Sequence, residues 1–156
     1  MTLESASPEE TMALGRRVAE ACEPGTVLAL HGDLGSGKTR FVKGLAQGLG
    51  IQEAAVTSPT FVLVHLLEGR LRLAHFDIYR LESVDLAALG YYDLREGGVS
   101  VVEWADKVDE RSWGDHLSIS FEVTGESSRR LMIRALGPRG EALLGRLNLS
   151  PPSTLV

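Results

Sequence analysis

The sequence predicts an α/β fold of three layers built around a mixed parallel and antiparallel sheet, and three observations carry that expectation. A short apolar run, Thr26-Val27-Leu28-Ala29-Leu30, leads into Gly32-Asp33-Leu34-Gly35-Ser36-Gly37-Lys38-Thr39, which fits G-x-x-x-x-G-K-[ST] without a mismatch. Beyond it, Phe41, Leu45 and Leu49 recur four apart, the spacing of a helix over Arg40 to Leu49. Later segments alternate helical and strand-like runs and include two antiparallel hairpin signals. Strand, glycine loop and helix in this order make the domain P-loop NTPase-like, with its ligand expected beyond the strand ends. Such a loop surrounds phosphate oxygens with backbone N–H groups and a helix N-terminus. Lys38 then reaches the β and γ phosphates, and Thr39 Oγ1 ligates Mg²⁺.

The remaining elements follow along the chain. Ser7-Pro8-Glu9-Glu10 reads as a capping box with proline at the first helical position, opening a helix from Pro8 to Cys22 that Pro24-Gly25 ends. Residues 51–60 read as a polar connection carrying Thr57-Ser58-Pro59-Thr60. Phe61 to Leu67 and Leu71 to Tyr79 are strand-like and joined by Glu68-Gly69-Arg70, a hairpin signal. Ser83 to Leu89 reads as a short helix, and Gly90 to Gly98 as a loop containing Tyr91, Tyr92 and Asp93. Val99 to Val102 is a buried strand ending at Glu103-Trp104. A second hairpin pairs His116 to Thr124 with Arg129 to Leu136, and Gly140 to Leu147 reads as a terminal helix. Residues 1–150 are expected to form one domain, and the tail 151–156 to be disordered.

Composition narrows the function classes. The chain has 156 residues, 44% apolar and 24% charged, as in a soluble globular domain. Its apolar stretches fall short of the roughly 20 residues needed to cross a bilayer. Residues 1–25 contain Glu4, Glu9, Glu10 and Glu20 and lack an apolar signal core, which predicts no export signal. One cysteine, Cys22, cannot form an internal disulfide, so the expected compartment is the cytoplasm. The net charge of −5 argues against broad electrostatic capture of nucleic acid.

A P-loop needs acidic partners at neighbouring strand ends, because Mg²⁺ takes few protein ligands and keeps waters held by carboxylates. Asp77 closes an apolar strand, the setting of a Walker-B aspartate, and Glu103 ends Val99 to Val102 in the same way. Glu103 either ligates the metal or orients the attacking water. Thr57, Ser58 and Thr60 lie where nucleotide-responsive loops place a hydroxyl on Mg²⁺ or the γ-phosphate, although hydroxyl-rich loops are also simply turns. Trp104 reads as core on residue type. Asp106-Lys107-Val108-Asp109 approaches the guanine-reading N-K-x-D element, but aspartate replaces asparagine and the D-x-x-G glycine is missing after Asp77. Adenine is therefore the expected base.

The order Gly32 to Thr39, Thr57-Ser58-Pro59-Thr60-Phe61, His75-Phe76-Asp77-Ile78-Tyr79-Arg80-Leu81 and Val102-Glu103-Trp104 resembles the TsaE (YjeE) family, over nearly the whole chain. The resemblance implies a bacterial ATPase that joins TsaB and TsaD in making the threonylcarbamoyl modification of tRNA, touching tRNA through that complex. It implies that Asp33 through Arg40 bind nucleotide, that Thr39, Asp77 and Glu103 serve the metal, and that Thr57 to Thr60 form a switch-like loop. Thr57, Asp77 and Glu103 become candidate catalytic residues. Arg40 stands where the family often has a second hydroxyl residue, and Asp106 where a longer glutamate is common. Thr11 and Arg129 match loosely and are candidate base or ribose contacts. Trp104 matches a tryptophan beside the carboxylate. Two rivals stand beside a partner-dependent ATPase: a P-loop small-molecule kinase, and a nucleotide-gated binding module with incidental hydrolysis.

Overall fold

A computed structural model describes residues 1–52, 56 and 63–149. The hydroxyl-rich loop Thr57 to Thr60 and the tail 151–156 lie outside those residues. In chain order the strands are β1 (Thr2–Ser5), β2 (Val27–His31), β3 (Val64–Leu67), β4 (Leu73–Asp77), β5 (Val99–Glu103), β6 (His116–Val123) and β7 (Arg129–Leu136). They form one sheet in the order β1-β7-β6-β2-β5-β4-β3. β4, β5, β2 and β6 run parallel, whereas β3, β7 and β1 each join their neighbour antiparallel. The sheet is thus mixed, and β3–β4 and β6–β7 are the two hairpins expected.

Parallel strands at the centre of such a sheet are covered on both faces, so their side chains feed two cores. Leu28 and Leu30 of β2 face one core; Val27 and Ala29 face the other. The first core lies under α1 (Pro8–Ala21), α2 (Lys38–Gly48) and α4 (Pro138–Leu149), whose Val18, Phe41, Leu45 and Leu147 are fully buried. The second gathers Phe76, Trp113 and Tyr91, the last from the short α3 (Tyr91–Leu94).

Local chemistry sets the helix that matters most. Ser7 accepts a hydrogen bond from Glu10 N at 3.1 Å, Pro8 occupies the first turn, and the Glu10 carboxylate turns back to accept from Ala6 N. α1 then crosses α2 with almost no space between backbones. A Cβ added at Gly44 would fall 1.9 Å from Met12 O, and one at Gly15 2.2 Å from Phe41 O, so only glycine permits this crossing. That contact anchors α2, which starts directly from the glycine loop.

Three elements differ from expectation. Ser83 to Leu89 is bend and turn: the Asp85 carboxylate accepts from Ala87 N and Ala88 N as a helix cap would, but Gly90, at φ +77°, ends the run after one turn. The helix lies instead at Tyr91–Leu94, within the segment expected to be loop. It is held there by Tyr91, fully buried, whose hydroxyl donates to Trp113 O at 2.6 Å. β1 was not anticipated, being four residues that gain strand form by pairing with β7. The terminal helix begins earlier than expected, at Pro138, since Asp115 accepts from the first-turn amides of Arg139 and Gly140 at 2.8 and 3.0 Å.

Candidate functional site

β2, β4 and β5 all end at the same edge of the sheet, so their terminal residues converge with the loop that follows β2. Asp77 and Glu103 are register partners at the ends of β4 and β5. Together with Asp33 through Arg40, they line a cleft of about 790 Å³, which Thr11 and Arg129 also border. Every candidate residue within the described chain therefore meets in one place, while Thr57 lies outside the described residues.

The loop is shaped for anions. Gly37 takes φ +105°, a left-handed conformation suited to glycine, and starts α2 with no side-chain cap, which leaves first-turn amides for a ligand. A Cβ added at Gly35 would meet nothing within 4 Å, and Ser36 Oγ is buried without a partner among the described residues. Lys38 is only 4% exposed. Its Nζ donates to the carbonyls of Gly32 and, at 3.1 Å, of Asp33, and sits 3.6 Å from the Trp104 ring centroid. Burial lowers the Lys38 pKa from its ordinary value, against the opposing pull of Glu103 and other nearby carboxylates. A desolvated ammonium held by neutral dipoles and a ring face has much to gain from a phosphate.

Behind Lys38 the acidic groups are arranged in depth. Glu103 is 3% exposed, and its two oxygens are held separately: Oε1 accepts from Thr39 Oγ1 at 3.2 Å, and Oε2 lies 2.6 Å from His75 Nε2. Asp77 is half-buried and accepts from Tyr79 N at 3.1 Å. Burial, reinforced by the Glu103 charge, raises the Asp77 pKa above the usual carboxylate range, although the Tyr79 amide opposes the shift. The Thr39 hydroxyl and these two carboxylates are hard oxygen donors of the kind Mg²⁺ prefers, and they fit such an ion.

Trp104 borders the cleft and is half-buried, so it is not simply a core residue. It has φ +66°, the one positive φ outside glycine among the described residues. This conformation turns the chain immediately after β5 and lays the indole beside Tyr79, 4.6 Å between ring centroids, and over Lys38. The Asp106–Asp109 segment takes no part in the cleft wall: Asp106 is exposed and Asp109 is engaged by Arg111 at 3.1 Å.

Thr11 and Arg129 pack against Gly37 at the border of the cleft. Thr11 Oγ1 bonds Ser5 Oγ at 2.7 Å and Ser7 O at 3.3 Å. The Arg129 guanidinium donates to four carbonyls, those of Gly35 and Ser36 in the loop and of Gly125 and Ser128 in the hairpin turn. Residue-type reasoning missed His75, whose place is legible only through strand alternation. Leu73, His75 and Asp77 share one face of β4, and that face meets Glu103.

Comparison with known proteins agrees with this geometry. Residues 5–131 match the family model described as threonylcarbamoyl adenosine biosynthesis protein TsaE. The chain is 41% identical over 145 residues to the tRNA threonylcarbamoyladenosine biosynthesis protein TsaE of Bacillus subtilis (strain 168), covering 91% of this chain and 90% of the relative. It is 42% identical over 131 residues to the protein of the same name from Treponema pallidum (strain Nichols), covering 83% and 96%. A crystal structure of Bacillus subtilis YdiB superposes with a TM-score of 0.79 at 35% identity, covering 96% of this chain and 94% of that one. With the family match spanning most of the sequence and the fold shared with a solved relative, the chain belongs to the TsaE family of tRNA threonylcarbamoyladenosine biosynthesis proteins.

Proposed function

We propose that this protein is an ATPase that supports tRNA N6-threonylcarbamoyladenosine modification, hydrolysing ATP with Mg²⁺ in the cytoplasm in complex with TsaB and TsaD. The observation that carries the reading is the convergence of Lys38, Thr39, Asp77 and Glu103 on the one cleft that the glycine loop borders. In this reading the loop amides and Lys38 bind the triphosphate. Thr39, Asp77 and Glu103 would hold Mg²⁺ and its waters, and the chemistry such an ion would supply there is neutralisation of phosphoryl charge. Glu103 also orients a water in this reading, which is supported by the fixed geometry of its buried carboxylate, held from two sides. Adenine is the proposed base, supported by the position of the N-K-x-D-like segment away from the cleft wall. Among the described residues no helix is long and apolar enough to cross a membrane.

The decisive experiment is ATP turnover measured with the chain alone, with TsaB and TsaD, and with tRNA added. Acceleration by the two proteins is expected. Phosphate appearing on an acceptor molecule would favour a kinase instead, and tight binding without turnover in any mixture would favour a gated binding module.

A further inference from the structure

We infer that His75 is a positioning residue for Glu103: it holds the buried carboxylate in place from behind the cleft and thereby sets the metal-dependent chemistry. The inference rests on the proposed nucleotide site. His75 is fully buried, lies on β4 two residues before Asp77, and does not itself border the cleft. Its Nε2 is 2.6 Å from Glu103 Oε2, at the short end for a hydrogen bond to a charged acceptor. The other carboxylate oxygen meets Thr39, whose hydroxyl oxygen the proposed site shares with Mg²⁺. His75 is thus the anchor of Glu103 that no ligand competes for.

The surroundings also select the tautomer. Among the described residues His75 Nδ1 has no hydrogen-bond partner, and the His65 ring stands edge-on to His75 at 6.5 Å between centroids. A proton on Nδ1 would leave a buried donor unsatisfied and turn the Nε2 lone pair toward a carboxylate oxygen. In the neutral imidazole the proton therefore sits on Nε2, which donates a hydrogen bond to Glu103 Oε2. A histidine behind a metal-associated carboxylate acts as an outer partner, the kind whose loss commonly costs about 10–100-fold in metal affinity or activity.

Two variants separate positioning from packing. His75→Leu fills much of the space without a donor, and His75→Gln restores an N–H at similar reach. Binding of a non-hydrolysable ATP analogue is measured by calorimetry with Mg²⁺ and with EDTA, and turnover is measured with the partner proteins. His75→Leu should bind the analogue as the parent does in EDTA, lose about 10–100-fold in Mg²⁺-dependent turnover with KM unchanged, and His75→Gln should recover most of the loss. In a Glu103→Ala background, His75→Leu should add nothing further, because the residue acts through that carboxylate. An equal loss in both backgrounds, or an unchanged Mg²⁺ response in a folded His75→Leu protein, would overturn the inference. Where His75→Leu fails to fold, ¹⁵N-histidine spectra of the parent decide: an Nε2-bound proton whose signal shifts in Glu103→Ala is expected, and an Nδ1-bound proton refutes the assignment. The spectra need no nucleotide, so a parent that never hydrolyses ATP would defeat the ATPase reading while leaving this hydrogen bond to be judged separately.

Discussion

Arg129 Nε lies 3.1 Å from the carbonyl oxygen of Ser36, and this hydrogen bond ties the β6–β7 hairpin to the glycine loop across 93 positions of sequence. A second bond of the same guanidinium reaches Gly35 O at 3.1 Å. Both carbonyls are thus fixed by a side chain from another element, which constrains the peptide planes of the loop. Arg129 is expected as a base or ribose contact; four of its five N–H donors meet backbone oxygens, and the residue borders the cleft.

Replacing Arg129 by alanine should therefore weaken ATP and pyrophosphate binding alike, by about tenfold, given the usual worth of hydrogen bonds from a charged donor. Titration calorimetry with both ligands checks this. Pyrophosphate affinity that stays at the parental value, with only ATP weakened, would instead assign the guanidinium to the nucleoside.

Lys38→Ala should remove most triphosphate affinity, since Lys38 is the buried cation whose Nζ lies against the loop carbonyls of Gly32 and Asp33. Glu103→Gln should do the opposite: near-parental ATP binding with hydrolysis lowered by about 10²–10⁴-fold, the range for losing one positioned charge or general base. Parental turnover by Glu103→Gln with TsaB and TsaD present would make the carboxylate structural and contradict the proposed site.

Asp77 predicts a conflict between stability and activity. Its folded pKa is raised by burial and by the Glu103 charge, so the folded chain holds this proton more tightly than the unfolded chain. The contribution of this group to stability is then full below the ordinary aspartate range and is lost as pH rises through the raised folded pKa. Asp77→Asn removes the ionised form and should raise the melting temperature at pH 7–8, without benefit at pH 3, while Mg²⁺-dependent turnover is lost. A variant that melts lower than the parent at neutral pH would contradict this sign.

Cys22 is buried, donates to Val18 O at 3.3 Å, and has its thiol pushed up to about 12 by desolvation. Thiol reagents need the thiolate, so native protein at pH 8 should react far more slowly than protein unfolded in guanidinium. Because the folded value exceeds the unfolded one, the neutral thiol's contribution to stability is complete below pH 9 and declines as pH climbs toward 12. Rapid labelling of the native protein would show that the helix end opens readily.

Contiguous features were legible from residues alone. The strand, glycine loop and helix around Lys38, the Ser7–Glu10 cap and both hairpins depend on neighbours within a few positions, and their signals are local hydrogen bonds and alternation. Asp77 and Glu103 were legible for a related reason, because each closes an apolar strand. Only the tertiary structure decided what those strand ends would meet. Placing β4 beside β5 brings His75 to Glu103, and placing β6–β7 beside β2 brings Arg129 to Ser36. The same dependence produced β1, which is a strand only because β7 is there to pair with it, and moved the short helix to Tyr91, whose burial against Trp113 outweighs the local preference of Ser83 to Leu89. Sequence specifies what each segment can form; which distant groups share one buried site is set by strand order, through contacts that no local window contains.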